Sequence, residues 1–208
     1  VCGQTTERTT VTTDIPVLTT LPDAVRPDDP LKETTIFEEE AWRGGFLRVI
    51  RNEVVLPDGE LRSREFLRHP GAAGIVLLFE DDTVLLERQW RHPMGRSFWE
   101  LPAGKLDPKE APLLCAKREL HEETGFSARR WTELGTLHNA IGYSNEGIVM
   151  FLAEDPEAGE QALDDGEFLE LVRVPRHEAT AMALDGRITD VKTIIGLVWA
   201  ERVLSTRG

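Results

Sequence analysis

The sequence predicts an α/β fold, a mixed sheet covered by helices and preceded by a small antiparallel β segment. Three observations predict it. Candidate elements follow the order strands, helix, strands, helices, which suits a layered sandwich. Gly74-Ile75-Val76-Leu77-Leu78-Phe79 is a continuous apolar run, as in a strand buried on both faces. Residues 111–124 carry apolar residues at helical spacing and end at Gly125. A chain of 208 residues can bury one sizeable core and is short for two independent domains.

Taken in order, residues 1–34 are rich in Thr and then in Pro and Asp, with little to bury, so a disordered tail is expected. Residues 35–68 read as an N-terminal β segment. Phe46, Arg48, Ile50, Asn52 and Val54 alternate with Leu47, Val49 and Arg51. Leu56-Pro57-Asp58-Gly59 supplies a turn, and Leu61 to Phe66 supplies a return strand. Residues 69–208 are expected to form the main domain. After the Gly74–Phe79 run, Glu80-Asp81-Asp82 makes a turn and Thr83 to Gln89 a partner strand. A loop with Pro93, Met94 and Gly95 leads to Phe98-Trp99-Glu100-Leu101.

The helix over 111–124 tolerates Pro112 because it falls in the first turn, and Gly125 sits where a C-terminal cap belongs. Its expected core face is Leu113, Ala116, Leu120 and Thr124. Further strands are expected around 131–136, 147–153 and 168–174. Two helices close the chain, 177–184 and 190–204, the second with Val191, Ile194, Ile195, Val198 and Val203 as its apolar stripe.

The formal net charge of −13 argues against nucleic acid or an anionic membrane as partner. A protein this negative would need a cation to handle phosphates. Cys2 and Cys115 suggest no disulfide framework, and Cys115 reads as a small core residue of the helix. With no apolar run of membrane-spanning length and no charged-then-apolar leader, a cytoplasmic enzyme is the expectation.

The segment that carries chemistry is 104–126, GKLDPKEAPLLCAKRELHEETGF. On a helix, Glu119 and Glu123 lie one turn apart on one face, with Glu122 on the neighbouring flank. Three like charges so close weaken a helix unless something neutralises them. A hard divalent cation such as Mg²⁺ takes oxygen ligands and bridges to phosphates. Arg118 can offset part of the repulsion through Glu122, four residues on. The plain alternative is a solvated charged face.

The full spacing decides between these. Gly104, Glu110, Arg118, Glu119, Leu120, Glu122, Glu123, Gly125 and Phe126 occupy every defined position of the Nudix box, and the sequence resembles the Nudix hydrolase family over about residues 36–204. The resemblance implies an α/β/α sandwich in which a loop–helix–loop holds metal. It implies Glu119 and Glu123 as metal ligands, Glu122 as a third ligand or a support, and the Ala103 carbonyl as a further ligand. Arg118 would orient the glutamates, paired with Glu110. Mg²⁺ is the implied cofactor, with Mn²⁺ as alternative. The catalytic base would come from the acidic loop Asp164-Asp165-Gly166-Glu167-Phe168-Leu169-Glu170, with Glu167 favoured and Asp165 as substitute.

Flanking segments point to a substrate. Arg64 to Gly74, Arg88-Gln89-Trp90-Arg91-His92-Pro93 and Phe98 to Lys105 resemble segments of ADP-ribose pyrophosphatases. That likeness implies substrate contacts from Arg64, Glu65, Arg91 and Glu100, with Arg91 on a phosphate, where a planar guanidinium can pair two oxygens. Trp42, Trp90 and Trp99 are candidate adenine stackers, though a core role is the commoner one for tryptophan. His69 and His92 are expected to be structural. The loop His138 to Glu146 lacks the proline common in such enzymes, and Tyr143 instead resembles dinucleoside polyphosphate hydrolases.

The expected reaction is hydrolysis of ADP-ribose to AMP and ribose 5-phosphate. Rivals are a dinucleoside polyphosphate, GDP-mannose or another sugar nucleotide as substrate, or a non-catalytic module that senses ADP-ribose. The intact glutamate set argues against the sensor. A homodimer is expected, because relatives with such a β segment exchange it; Trp42 or its neighbours would then approach the partner's adenine pocket.

Overall fold

Ten strands and three helices are arranged in two sheets and two helical layers in the computed structural model, which describes residues 19–21, 23–163 and 165–207. Most of the expected tail, residues 1–18 and Pro22, lies outside the described residues, as do Asp164 and Gly208.

The first sheet is antiparallel and has the order β1 (Thr34–Arg43), β2 (Arg48–Val55), β3 (Leu61–Leu67). The alternation read from the sequence holds: Ile50 and Val54 are buried, while Arg51 points outward and pairs with Glu39 of β1 and Glu65 of β3. All ten residues of β1 are exposed, Ile36, Phe37 and Trp42 among them. The end of β3 joins the main domain, where the Leu67 N–H donates to the Tyr143 carbonyl (2.7 Å) and the His69 N–H to the Asn145 side chain (2.8 Å).

The main sheet is mixed. It contains β4 (Ala72–Leu78), β5 (Thr83–Arg91), β6 (Arg96–Glu100), β7 (Ala103–Lys105), β8 (Phe126–Leu137), β9 (Ile148–Ala158) and β10 (Leu169–Pro175). Its path runs β10-β5-β4-β9-β8, with only β4 and β9 parallel. A split in this sheet shapes the site. The β4–β5 register is a single pair, Leu78 with Val84. Beyond it β5 pairs with β6, and β4 pairs with β7. The two strands part, and residues 100–105 cross the opening.

Side chains alternate across the sheet into two cores. Val76, Val84, Leu86, Met150 and Leu152 pack with Ala179 and Ala183 of α2 (Arg176–Leu184) and Leu197 and Ala200 of α3 (Val191–Ser205). Ala73, Ile75, Leu77, Leu85 and Phe151 pack with Cys115, Ala116 and Leu120 of α1 (Pro112–Thr124). The result is the α/β/α sandwich, with α1 alone on one face.

Two helical faces differ from the sequence reading. Leu113 is 36% exposed, and Cys115, Ala116, Leu120 and Glu123 are the buried positions of α1 along with Thr124. Periodicity assigns a face, but not which turns of that face the sheet covers. In α3 the buried residues are Lys192, Thr193, Gly196, Leu197 and Ala200, while Val191 and Val198 are 41% and 37% exposed. Small side chains let α3 lie close on the sheet, so the bulkier Ile194, Ile195 and Val203 pack at its flanks. Asp190 caps this helix by accepting from the Thr193 N–H (3.0 Å).

Among the described residues, no helix is long and apolar enough to cross a membrane.

Candidate active site

The cleft opens where β4 and β5 part, with the C-terminal turns of α1 on one side and the N-terminus of α3 on the other. Its volume is about 880 Å³. Glu119, Glu123, Ala103, Arg91, Glu100 and Glu167 all line it, so the structure brings together residues drawn from five separate segments.

Glu119 and Glu123 reach it from one face of α1. A Cβ on Gly104 would fall on the Glu119 carboxylate, which is why the position takes glycine. Gly125 ends the helix with φ +74°, a conformation costly for other residues, and its N–H donates to the His121 carbonyl. Glu123 Oε2 accepts from the Ala103 N–H (3.0 Å), which ties the helix to β7.

Arg118 organises the rest. It pairs with Glu110 (2.9 Å), Glu119 (2.8 Å) and Glu122 (2.9 Å) and donates to the Lys105 carbonyl (3.1 Å). The pair with Glu110 holds that carboxyl down at about 2. Both sequence expectations for Arg118, Glu122 at one turn and Glu110 across the loop, are met in the geometry. Cys115 is buried as expected, its thiol pushed up to about 12 by burial and then by Glu119 and Glu110.

Opposite α1, Arg91 makes a fork with Glu100, both contacts at 2.7 Å. Lys192 of α3 also binds Glu100, and it binds Asp190 at 3.1 Å. Burial works against the Glu100 charge, but Arg91 and Lys192 outweigh it and hold the carboxyl below its ordinary value. Glu167 Oε1 accepts from Gln89 Nε2 (3.0 Å), which places the acidic loop over β5.

The electrostatics of the floor differ. Glu123 is raised well above its ordinary value, first by burial and then by Glu87, Glu119 and Glu167. Glu119 is raised too, by burial, against the pull of Arg118. Glu87 is fully buried, lacks a hydrogen-bond partner on either oxygen among the described residues, and is raised to about 7 by burial. Such crowding of carboxylates calls for more positive charge than Arg118, Arg91 and Lys192 supply among the described residues.

A divalent cation fits that demand. The donors are hard oxygens, which suit Mg²⁺ or Mn²⁺. Among the described residues no three metal-binding side chains already converge into a coordination sphere. Arg118 and the Ala103 N–H hold Glu119 and Glu123 in their place, so cation binding would exchange some of these contacts.

A family model, described as the NUDIX domain, matches residues 68–194. The chain belongs to the Nudix family. It is 32% identical over 173 residues to the ADP-ribose pyrophosphatase of Bacillus subtilis (strain 168), covering 82% of this chain and 94% of that one. It is 33% identical over 172 residues to the methanol dehydrogenase activator of Bacillus methanolicus, covering 82% and 93%. It is 35% identical over 171 residues to the ADP-ribose pyrophosphatase of Mycobacterium tuberculosis (strain ATCC 25618 / H37Rv), covering 79% and 81%. A solved structure titled as an ADP compounds hydrolase shares the fold at a TM-score of 0.75 and 24% identity, covering 85% of this chain and 96% of that one. This Nudix chain is thus a pyrophosphatase of the ADP-ribose pyrophosphatase-like group, acting on nucleoside diphosphate compounds, in a family that generally uses a divalent metal.

Not every residue singled out in the Nudix sequence reaches this cleft. Arg64, Glu65 and Trp42 stand on the three-stranded sheet, where Arg64 pairs with Glu33 and Glu65 with Arg51. None of the three lines the cleft of its own chain. Trp99 packs against the core, and Trp90 is exposed and outside the cleft. His69 pairs with Glu146 at 3.4 Å. Tyr143 lines the cleft, and so does Phe46, which the sequence suggested only as a strand residue.

Sequence reasoning also missed Gln89, Lys192 and Glu87. Lys192 carries no local signal, since a lysine in a first helical turn ordinarily points to water. Glu87 did carry one: a charged residue directly after the apolar run Val84-Leu85-Leu86, in a strand the pattern marks as buried.

Proposed function

We propose that this chain hydrolyses ADP-ribose to AMP and ribose 5-phosphate with Mg²⁺ as cofactor and Mn²⁺ as an alternative. The observation that carries the reading is the cleft itself. Helix carboxylates, Arg91 and the acidic-loop carboxylate converge there, beside sequence segments resembling ADP-ribose pyrophosphatases.

In this reading Glu119, Glu123 and the Ala103 carbonyl hold the cation, with Glu122 as a further ligand or support. Bound there, a divalent cation neutralises the diphosphate and makes a water easier to deprotonate. Arg118 positions Glu119 and Glu122 by its ion pairs. Arg91 spends Nε and Nη2 on Glu100, leaving Nη1 for a phosphate oxygen. Glu100 fixes that guanidinium and so sets where the diphosphate lies. Glu167, bonded to Gln89 through one oxygen, keeps the other to take the proton from the attacking water. The protonated carboxyl returns it to solvent after the phosphoanhydride bond breaks.

The substrate-binding roles of Arg64, Glu65 and Trp42 require a second copy of the chain. The exposed apolar residues of β1 support a homodimer that exchanges the three-stranded sheet. The position of Tyr143 in the cleft favours a second substrate reading, a dinucleoside polyphosphate.

A panel of ADP-ribose, a dinucleoside tetraphosphate and GDP-mannose, each with Mg²⁺ and each with EDTA, tests the reading. The highest kcat/KM is expected for ADP-ribose, with AMP and ribose 5-phosphate as products and no turnover in EDTA. A higher kcat/KM for the dinucleoside tetraphosphate transfers the function to the second reading. Full turnover in EDTA removes the mechanism.

A further inference from the structure

The buried carboxylate of Glu87 has no part in the mechanism above and does not line the cleft, yet Gln89 and Arg91, further along the same strand, and its ladder partner Glu100 do. Its residue is 0% exposed, and neither oxygen has a hydrogen-bond partner among the described residues. Burying an ionised carboxylate is costly unless it is paired or binds a metal.

Lys192 and Arg91 favour its charge through space, but neither donates a hydrogen bond to it, and burial with Glu100 and Glu167 outweighs them. Lys192 Nζ is bonded to Glu100 and Asp190. Arg91 directs Nε and Nη2 at Glu100. Glu100 is the residue directly across from Glu87 in the β5–β6 ladder, so the strand partner of Glu87 is another carboxylate.

Direction follows from the strand. Val84 and Leu86 pack into the core under α2 and α3, while Leu85 packs into the core under α1. Alternation therefore turns Glu87 toward α1, the face from which Glu119 and Glu123 enter. The next residue on that face, Gln89, lines the cleft and holds Glu167. The β4–β5 register is confined to Leu78 with Val84, so Glu87 lies along the split in the sheet. Of the charged groups acting on Glu123, Glu87 acts most strongly.

We propose that Glu87 is an additional carboxylate of the cation site, reaching the cation from the sheet side, opposite Glu119 and Glu123 of the helix. The inference rests on reading the cleft as a divalent-cation site. It adds a ligand that the box spacing does not contain. It also accounts for a buried acid directly after the apolar run of β5: the cation adds the bonded positive charge that Lys192 and Arg91, hydrogen-bonded to Glu100, do not give it.

The test is Mn²⁺ binding to the full chain without substrate, followed by electron paramagnetic resonance, together with melting in EDTA and in Mn²⁺. Wild type, Glu87→Gln, Glu87→Leu and Glu123→Gln are compared. The glutamine variant keeps the shape of the side chain, and the leucine variant removes every polar atom. Glu87→Gln and Glu87→Leu are expected to bind Mn²⁺ about ten-fold or more weakly. Both should melt in EDTA at or above the wild-type temperature and lose most of the Mn²⁺-induced rise. If one variant does not fold, the other gives the same reading. Unchanged Mn²⁺ affinity in a folded Glu87 variant, beside weakened binding in Glu123→Gln, overturns the inference about Glu87 alone. A wild-type chain that binds no Mn²⁺ overturns the cation reading with it.

Discussion

Glu123 is held in place by one backbone N–H and opposed by burial and three neighbouring carboxylates. On the proposed reading its charge serves a cation rather than the fold. Glu123→Gln and Glu119→Gln should therefore leave the far-ultraviolet spectrum unchanged and lower kcat by about a hundredfold or more, since metal-borne charge stabilisation is worth several kcal/mol. Near-normal rates in both variants would reduce α1 to a charged surface. Glu87 gives a prediction in pH. An unfolded chain releases this proton near 4.5, while the folded, cation-free protein keeps it to about 7. Between those values the folded state binds more protons, so its stability falls as pH rises through the window and levels above it. The effect of Glu87 is about 3 kcal/mol at most. Glu123, raised in the same direction, reinforces it. Glu110, lowered to about 2, acts oppositely: its stabilisation is complete above its ordinary value and is lost only as pH falls toward 2. Calorimetry in EDTA should show the melting temperature dropping from about pH 5 to about pH 7, and Glu87→Gln should flatten part of that drop. A wild-type profile that rises over this range would contradict the assignment.

At the scale of the element, α1 and its lead-in act as one unit because Gly104 leaves room for the Glu119 carboxylate and Arg118 ties loop to helix. Gly104→Ala makes this testable. The added methyl meets the end of a flexible side chain, so the fold should tolerate it. Glu119 must swing away, and kcat should fall about ten-fold or more with little change in melting temperature. An unchanged kcat would mean that the position of Glu119 does not matter. This unit was the most legible part of the sequence. Residue spacing along one helix fixes which side chains share a face, so Glu119, Glu123 and the Arg118 pair with Glu122 followed directly, while the pair with Glu110, which lies before the helix, came only from the family resemblance. The apolar run of β4 and the alternation of β2 were legible for the same reason, since period-two and period-3.6 patterns are local. What lies beneath a face is not local. The covered turns of α1, the small-residue contact face of α3 and the insertion of β6 and β7 between β4 and β5 depend on distant segments. Lys192 and Gln89 belong to this class: each becomes part of the site only when the split sheet brings α3 and the acidic loop to the same cleft.

At the scale of the molecule, the three-stranded sheet does not explain itself. β1 lies at its edge with every residue exposed, and Ile36, Phe37 and Trp42 lie along it with Phe46, Leu47 and Leu61 exposed nearby. An open edge beside exposed apolar side chains is a surface that proteins usually cover. Arg64 and Glu65, which the sequence suggests for substrate contact, stand on the same sheet and outside their own cleft. A symmetric dimer that passes this sheet to the neighbouring cleft answers both facts. Light scattering should give a dimeric mass at micromolar concentration. Complementation separates exchange from simple association. On this reading Glu119→Gln should inactivate the cleft of its own chain, and Arg64→Ala should impair the sheet given to the other. After equal mixing and subunit exchange, half of the dimers are mixed and each has one intact cleft facing one intact sheet, so about a quarter of wild-type sites should return. Without sheet exchange every mixed dimer holds two defective sites, and the mixture shows only the average of its parents. A monomeric mass for a fully active chain, or no gain on mixing, would leave the sheet in service of its own cleft.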